Sequence, residues 1–213
     1  MDATRIIAIR HGETAWNVDT RIQGHLDIPL NDIGRWQAGR LGAALAGEGI
    51  AAVYASDLGR AMQTAQAVAD VAGLAVLADT GLRERAFGRF QGRTFAEIEA
   101  AWPEDARLWR VRDPAFTPPE GGESLLVFRD RVVGTLARLA ARHAGEQIVV
   151  VGHGGVMDVL YRAATGQELQ APRTWALGNA AVNRLLWTPQ SLGLVGWADT
   201  RHLEDAALDD STA

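Results

Sequence analysis

Apolar residues cluster in short runs along the chain, at Ile6 to Ile9, Ile50 to Ala55, Leu74 to Ala78 and Ile148 to Val151. These runs are rich in Ile, Val and Leu, and longer stretches of helical periodicity separate them, which is the rhythm of βα units. The helix over "LNDIGRWQAGRLGAALAG" is predicted to start at the cap Asn31 and to close at Gly47 and Gly49. A second, "SDLGRAMQTAQAVADVAG", takes Ser56 or Asp57 as its cap and closes at Gly73; a third runs from near Ser124 to Gly145. A fourth lies in "GGVMDVLYRAATG". Parallel strands joined by crossover helices follow from this alternation, with helices on both faces of a mostly parallel sheet.

The two ends of the pattern differ from its middle. "NAAVNRLLWT" and "LGLVGWAD" read as strands joined by the turn "TPQS", extending the sheet antiparallel to some neighbours. Residues 87–122 break the alternation with prolines, arginines and the tryptophans Trp102 and Trp109. This segment is expected to be a partly helical insertion over one end of the sheet in a single domain spanning residues 1–213. Within it, Trp102, Trp109, Arg107, Arg110 and Arg112 are candidates for selecting a ligand, although aromatics in such a segment more often form its own small core. The acidic tail after Leu203 is expected to fray.

Composition narrows the function. Cysteine is absent, so a disulfide framework, a thiolate zinc site and a thiolate nucleophile are all excluded. The net charge of −5 argues against broad contact with nucleic acid or an anionic membrane, both of which rely on many basic contacts. The run from Ile6 to Ile9 is far too short for a signal-peptide core or a membrane span, so a cytoplasmic protein is expected. The apolar C-terminal strands offer an edge for a homodimer.

In an open parallel sheet, ligands settle outside the carboxyl ends of the strands, so the residues just after each strand carry the chemistry. Arg10 and His11 follow the first run, Ser56-Asp57 and then Arg60 the second, "LRERAFG" with Glu84 the third, and "VVVGHGG" with His153 the fourth. Glycine after each histidine lets the backbone turn sharply and lets a ligand approach closely. Taken singly, each residue has a structural explanation: a histidine that caps, an arginine on a helix surface, a glutamate in a surface ion pair. Their repeated placement at one rim does not. A metal site is disfavoured, because a divalent cation about 5 Å from an arginine meets repulsion on the order of 6 kcal/mol at an effective dielectric of about 20. The same arginines favour a small anion, and a phosphoryl group fits their planar fork.

"RHGETAWN", "SDLGRAMQTA", "LRERAFGRFQG", "PEGGES" and "VVVGHGGVM" resemble, in order and spacing, the motif series of the histidine phosphatase superfamily, also called phosphoglycerate-mutase-like. The resemblance runs from about Arg5 to about Tyr161 and implies a three-layer α/β/α sandwich and a phosphohistidine intermediate. It implies that His11 is the nucleophile, that Arg10, Arg60 and His153 form the phosphate pocket, and that Glu84 is the proton donor. Asn17, Gln23 and Gly24 fall on loop positions that touch the substrate phosphate in such enzymes. No cofactor and no metal is implied, and the partner is a small phosphorylated metabolite. His153, if protonated, would meet the charge of the transferring group directly. Arg83 and Arg85 are expected to point elsewhere, and His25, His143 and His202 receive no role.

The segment after Glu84 bears on the reaction. Cofactor-dependent phosphoglycerate mutases carry Arg-His-Tyr-Gly behind the acid and a longer basic insertion, whereas this chain reads Arg85-Ala86-Phe87-Gly88 and then "RFQGRTFAEI". That is more similar to the broad phosphatase branch, with Gln91 standing where a Glu is common. The expected activity is a metal-independent phosphomonoesterase; a mutase is the alternative, and a phosphate-binding module without chemistry a third reading.

Overall fold

The central strand β1 (Thr4–Arg10) lies between a parallel and an antiparallel neighbour. A computed structural model describes residues 2–204, so the tail expected to fray falls outside the described residues apart from its first position. In chain order the remaining elements are α1 (Ala15–Val18), α2 (Asp32–Ala44), β2 (Ala52–Ala55), α3 (Gly59–Ala72) and β3 (Val76–Ala78). They continue with α4 (Phe95–Ala101), α5 (Pro103–Arg110), α6 (Leu125–Ala140), β4 (Gln147–Gly152), α7 (Gly154–Thr165), β5 (Val182–Thr188) and β6 (Ser191–Asp199). The sheet order is β3-β2-β4-β1-β5-β6. The first four of these strands pair in parallel, and the last two add antiparallel, as the C-terminal pattern predicts.

Side chains alternate across the pleat, so one strand supplies two cores. Ile6 and Ala8 of β1 join Ile148 and Val150 of β4 under Phe128, Val132 and Leu136 of α6 and Leu160 of α7. Ile7 and Ile9 join Val149 and Val151 under Leu41 of α2 and Ala65 and Val68 of α3. Helices thus cover both faces in three α/β/α layers. Among the described residues no helix is long and apolar enough to cross a membrane.

Several boundaries moved from their sequence positions. Asn31 and Ser124 do cap α2 and α6, accepting from Gly34 N–H at 2.7 Å and Val127 N–H at 3.2 Å. Neither Ser56 nor Asp57 caps α3: its cap position is Leu58, whose apolar side chain makes no capping hydrogen bond. Asp57 is instead held by Arg83 at 2.7 and 2.6 Å, and Asp27 reaches in from a distant loop to accept from Gly59 N–H at 2.7 Å. Helix α6 stops at Ala140 and reaches Gly145 through turns.

The segment 87–122 folds around its own aromatic cluster. Phe90, Ile98 and Ala106 are buried together, with Phe87, Phe95, Trp102, Trp109 and Phe116 packed against them. Trp109 stacks on Phe90 with ring centroids 5.4 Å apart. Trp102 lies against the guanidiniums of Arg89 and Arg93, 4.4 and 5.0 Å from its ring centroid. Thr94 and Glu97 close a reciprocal cap on α4, and Pro103 takes the first turn of α5, where its missing N–H costs nothing.

Candidate active site

Register decides which side chains meet. Arg10 of β1 pairs with Gly152 of β4, so His11 and His153 leave adjacent parallel strands at the same level. Their ring centroids are 5.2 Å apart at 61°. His11 is 3 % and His153 0 % exposed. His11 Nδ1 lies 2.7 Å from the carbonyl of Gly12, a geometry that fixes the proton on Nδ1 and leaves the Nε2 lone pair free. Burial, with Arg10 and Arg60 adding to it, holds the His11 imidazole well below its ordinary range.

A cleft of about 160 Å³ is bordered by Arg10, His11, Asn17, Gln23, Arg60 and Glu84, with Gly24, Phe87 and Gly154 among the other residues of its rim. All the residues assigned to catalysis or substrate contact on the sequence except His153 therefore border one cavity. His153 sits behind His11, and burial followed by Arg60, His11 and Arg10 pushes its pKa well down. Among its protein neighbours the neutral imidazole is therefore favoured, so the condition set on the sequence, that His153 be protonated, is not met by the protein's own groups. Glycine at 12 is also required by packing: a methyl there would lie 2.6 Å from the Gly34 carbonyl, so α2 approaches the backbone closely at this position.

Arg60 is fully buried in the first turn of α3 and donates to the carbonyls of Gly24 and Leu26 at 2.8 Å each. Its burial depresses its pKa to about 10. Arg10 donates to the Leu177 carbonyl, and its burial likewise lowers its pKa. Arg10 Nε, Arg60 Nε, Gln23 Oε1 and both ring nitrogens of His153 are buried with no hydrogen-bond partner among the described residues. Buried polar atoms are rarely left unpaired, so a convergent set marks a site built to bind a polar group.

Glu84 lies on a stretch without regular secondary structure, yet both its carboxyl oxygens are held, Oε1 by Arg85 N–H at 2.8 Å and Oε2 by Gly155 N–H at 2.9 Å. Beyond it a larger chamber of about 690 Å³ opens, and Arg10, Glu84, Phe87 and Gly154 border both cavities. Trp109, Arg110 and Arg112 line this chamber, as does Arg85, which is anchored on the carbonyls of Glu123 and Phe116. Trp102 and Arg107 do not border it; Arg107 pairs with Glu104 on the exposed face of α5. Among the described residues no three His, Asp or Glu side chains come together in a metal-binding arrangement.

The sequence reading missed Asn179. Its amide donates to the His11 carbonyl at 2.9 Å and to Asn17 Oδ1 at 3.3 Å, while Asn17 Oδ1 also accepts from Thr14 N–H at 3.0 Å. The available signal was its place just before a strand that pairs with β1, which returns the chain to the site. Asn17 thereby orders the loop after His11 as well as bordering the cleft.

The sequence profile of the histidine phosphatase superfamily (branch 1) matches residues 6–200. The chain is 42% identical over 98% of its length, and 90% of the relative's, to phosphoglycerate mutase-like protein 4 of Arabidopsis thaliana. It is 36% identical, over 97% of its length and 86% of the relative's, to a metal-independent phosphoserine phosphatase of the same plant. The solved structure of Bacillus stearothermophilus YhfR superposes with a TM-score of 0.86 at 31% identity, covering 95% of this chain and 100% of that one. With its strand order, paired histidines and convergent arginines already established, the chain belongs to the histidine phosphatase superfamily, branch 1.

Proposed function

We propose that the protein is a phosphomonoesterase, a phosphoric monoester hydrolase that acts on a small phosphorylated metabolite through a phosphohistidine at His11. One observation carries this reading: Glu84 stands on the boundary between the cleft that holds His11 and the arginines and the chamber beyond it. An acid in that position faces the ester oxygen when phosphorus is in the cleft and the alcohol portion is in the chamber.

The lone pair of His11 Nε2 attacks phosphorus while the ester P–O bond breaks. Arg10 and Arg60 meet charge on the equatorial oxygens, and Gln23 and Asn17 border the same group. Glu84 protonates the departing oxygen. Water then attacks the phosphohistidine, Glu84 takes its proton, the N–P bond breaks and inorganic phosphate leaves. His153 packs against His11 and keeps it in place; a phosphate dianion beside it opposes the burial and the arginine field that together disfavour its protonation. The relative called a metal-independent phosphoserine phosphatase supports this chemistry.

A mutase uses the same nucleophile and acid but returns the phosphoryl group to the organic molecule. Incubation with 3-phosphoglycerate and quantification of both inorganic phosphate and isomerised ester separates the two. Release of phosphate without isomer is the expected result; isomer in excess of phosphate overturns it. Tight phosphate binding with no turnover on any ester would favour a binding module.

A further inference from the structure

We propose that His25, which the mechanism above does not use, is a positioning residue that ties the acid Glu84 to the loop gripping Arg60. The inference rests on the phosphomonoesterase reading, since it assigns His25 through Glu84. The residue follows Gln23 and Gly24, and it is half-buried. Its two flanking carbonyls, those of Gly24 and Leu26, are the acceptors for Arg60 Nη2 and Nη1 at 2.8 Å each. Its own backbone N–H donates to Gln91 Oε1 at 2.8 Å, so a side chain from the 87–122 segment fixes the loop. Its ring Nε2 lies 2.8 Å from the backbone carbonyl of Glu84. A carbonyl only accepts, so Nε2 carries the proton and donates.

The same Glu84 carbonyl also belongs to a second clamp. Arg131 of α6 donates to the carbonyls of Gly81 and Arg83 at 3.0 Å each and to Glu84 at 3.2 Å. Glu123 closes this clamp, pairing with Arg131 at 2.6 Å and accepting from Ala86 N–H at 2.9 Å. Neither Arg131 nor Glu123 borders either cavity. Their clamp registers Glu84 against the scaffold, whereas His25 registers it against the phosphate-gripping arginine. Residues 84–87 have no helix or strand to do this for them. A carboxyl that must meet an ester oxygen within hydrogen-bond reach needs that registration.

The test uses two esters that differ in their need for an acid. An alkyl phosphate such as glycerol 3-phosphate requires protonation of its leaving oxygen, and p-nitrophenyl phosphate does not. For His25→Ala, kcat on the alkyl ester is expected to fall by about 10- to 100-fold, while KM for both esters and kcat on the aryl ester stay within about threefold. His25→Gln, whose amide N–H replaces the ring donor, is expected to recover most of the loss. Equal losses on the two esters, no loss on either, or a Gln variant as poor as Ala would overturn the proposal. Glu84→Gln measured in parallel separates the levels: if it too lacks the alkyl-selective defect, the acid assignment itself fails. If His25→Ala does not fold, 15N spectra of the wild-type imidazoles decide, since a protonated Nε2 on His25 is required and an unprotonated one contradicts it.

Discussion

Gly155→Ala tests how tightly the acid is held. In the folded protein a methyl at this position would lie 2.2 Å from Glu84 Oε1, and no carbon of this kind settles closer than 3.0 Å to such an atom. Phe128 Cε1, 3.1 Å from the same methyl, leaves little room for the backbone to carry it away. The carboxyl must therefore retreat by at least the difference of 0.8 Å, and the 2.9 Å bond from the Gly155 N–H to Oε2 is lost or stretched with it. A misplacement of about 1 Å costs on the order of 10²-fold in rate, or about 2.7 kcal/mol of barrier. The expected outcome on an alkyl phosphate is a fall in kcat of about 100-fold, with KM little changed. Stability should not follow, because alanine in a helix is favoured over glycine by about 1 kcal/mol, which offsets the crowding. Steady-state kinetics and thermal unfolding on the same preparation give the answer. A kcat within about threefold of wild type, or a kcat loss matched by a Tm lowered by more than about 10 °C, would refute the reasoning.

Other perturbations test the same geometry. The folded pKa values of His11 and His153 lie well below the ordinary 6.5, so below that pH the unfolded chain binds the additional protons. Stability is therefore full above about pH 6.5 and declines below it, by at most about 1.4 kcal/mol per pH unit for each histidine, measurable by urea unfolding; a flat profile would contradict their burial as neutral groups. Asp27→Ala removes the acceptor for Gly59 N–H and should cost about 1 kcal/mol, seen as a Tm lower by about 2–4 °C. Arg60→Lys keeps the charge but loses the fork that spans two carbonyls, so kcat/KM should fall by about 10²-fold in steady-state assays, with far-UV circular dichroism unchanged.

Much of this architecture is legible in the chain because strand periodicity and cap residues are local signals. Ile6 to Ile9 and Ile148 to Val151 read as buried strands, and Asn31 and Ser124 as caps, since each depends on a few adjacent residues. The meeting of His11 and His153 is likewise legible, because two parallel strands in register, β1 and β4, bring their next residues to one level. Non-local partners were invisible. Nothing near Ser56 or Asp57 says that Arg83 will claim the aspartate and that Asp27 will cap α3 instead. The packing constraint on Gly12 was hidden for the same reason, as it comes from Gly34 on α2. His25 went unassigned because its partner, the Glu84 carbonyl, is a backbone atom that no residue pattern announces, and Asn179 because its position before a strand does not reveal the His11 carbonyl it reaches.

The central claim is that His11 carries the phosphoryl group between substrate and water. Rapid quenching of a turning-over mixture in alkali, with mapping of the phosphorylated peptide, addresses it directly. An alkali-stable, acid-labile phosphoryl group on His11, absent from His11→Ala together with phosphate release, is the predicted result. Turnover that persists in His11→Ala, or phosphate released with label never passing through this residue, would contradict it.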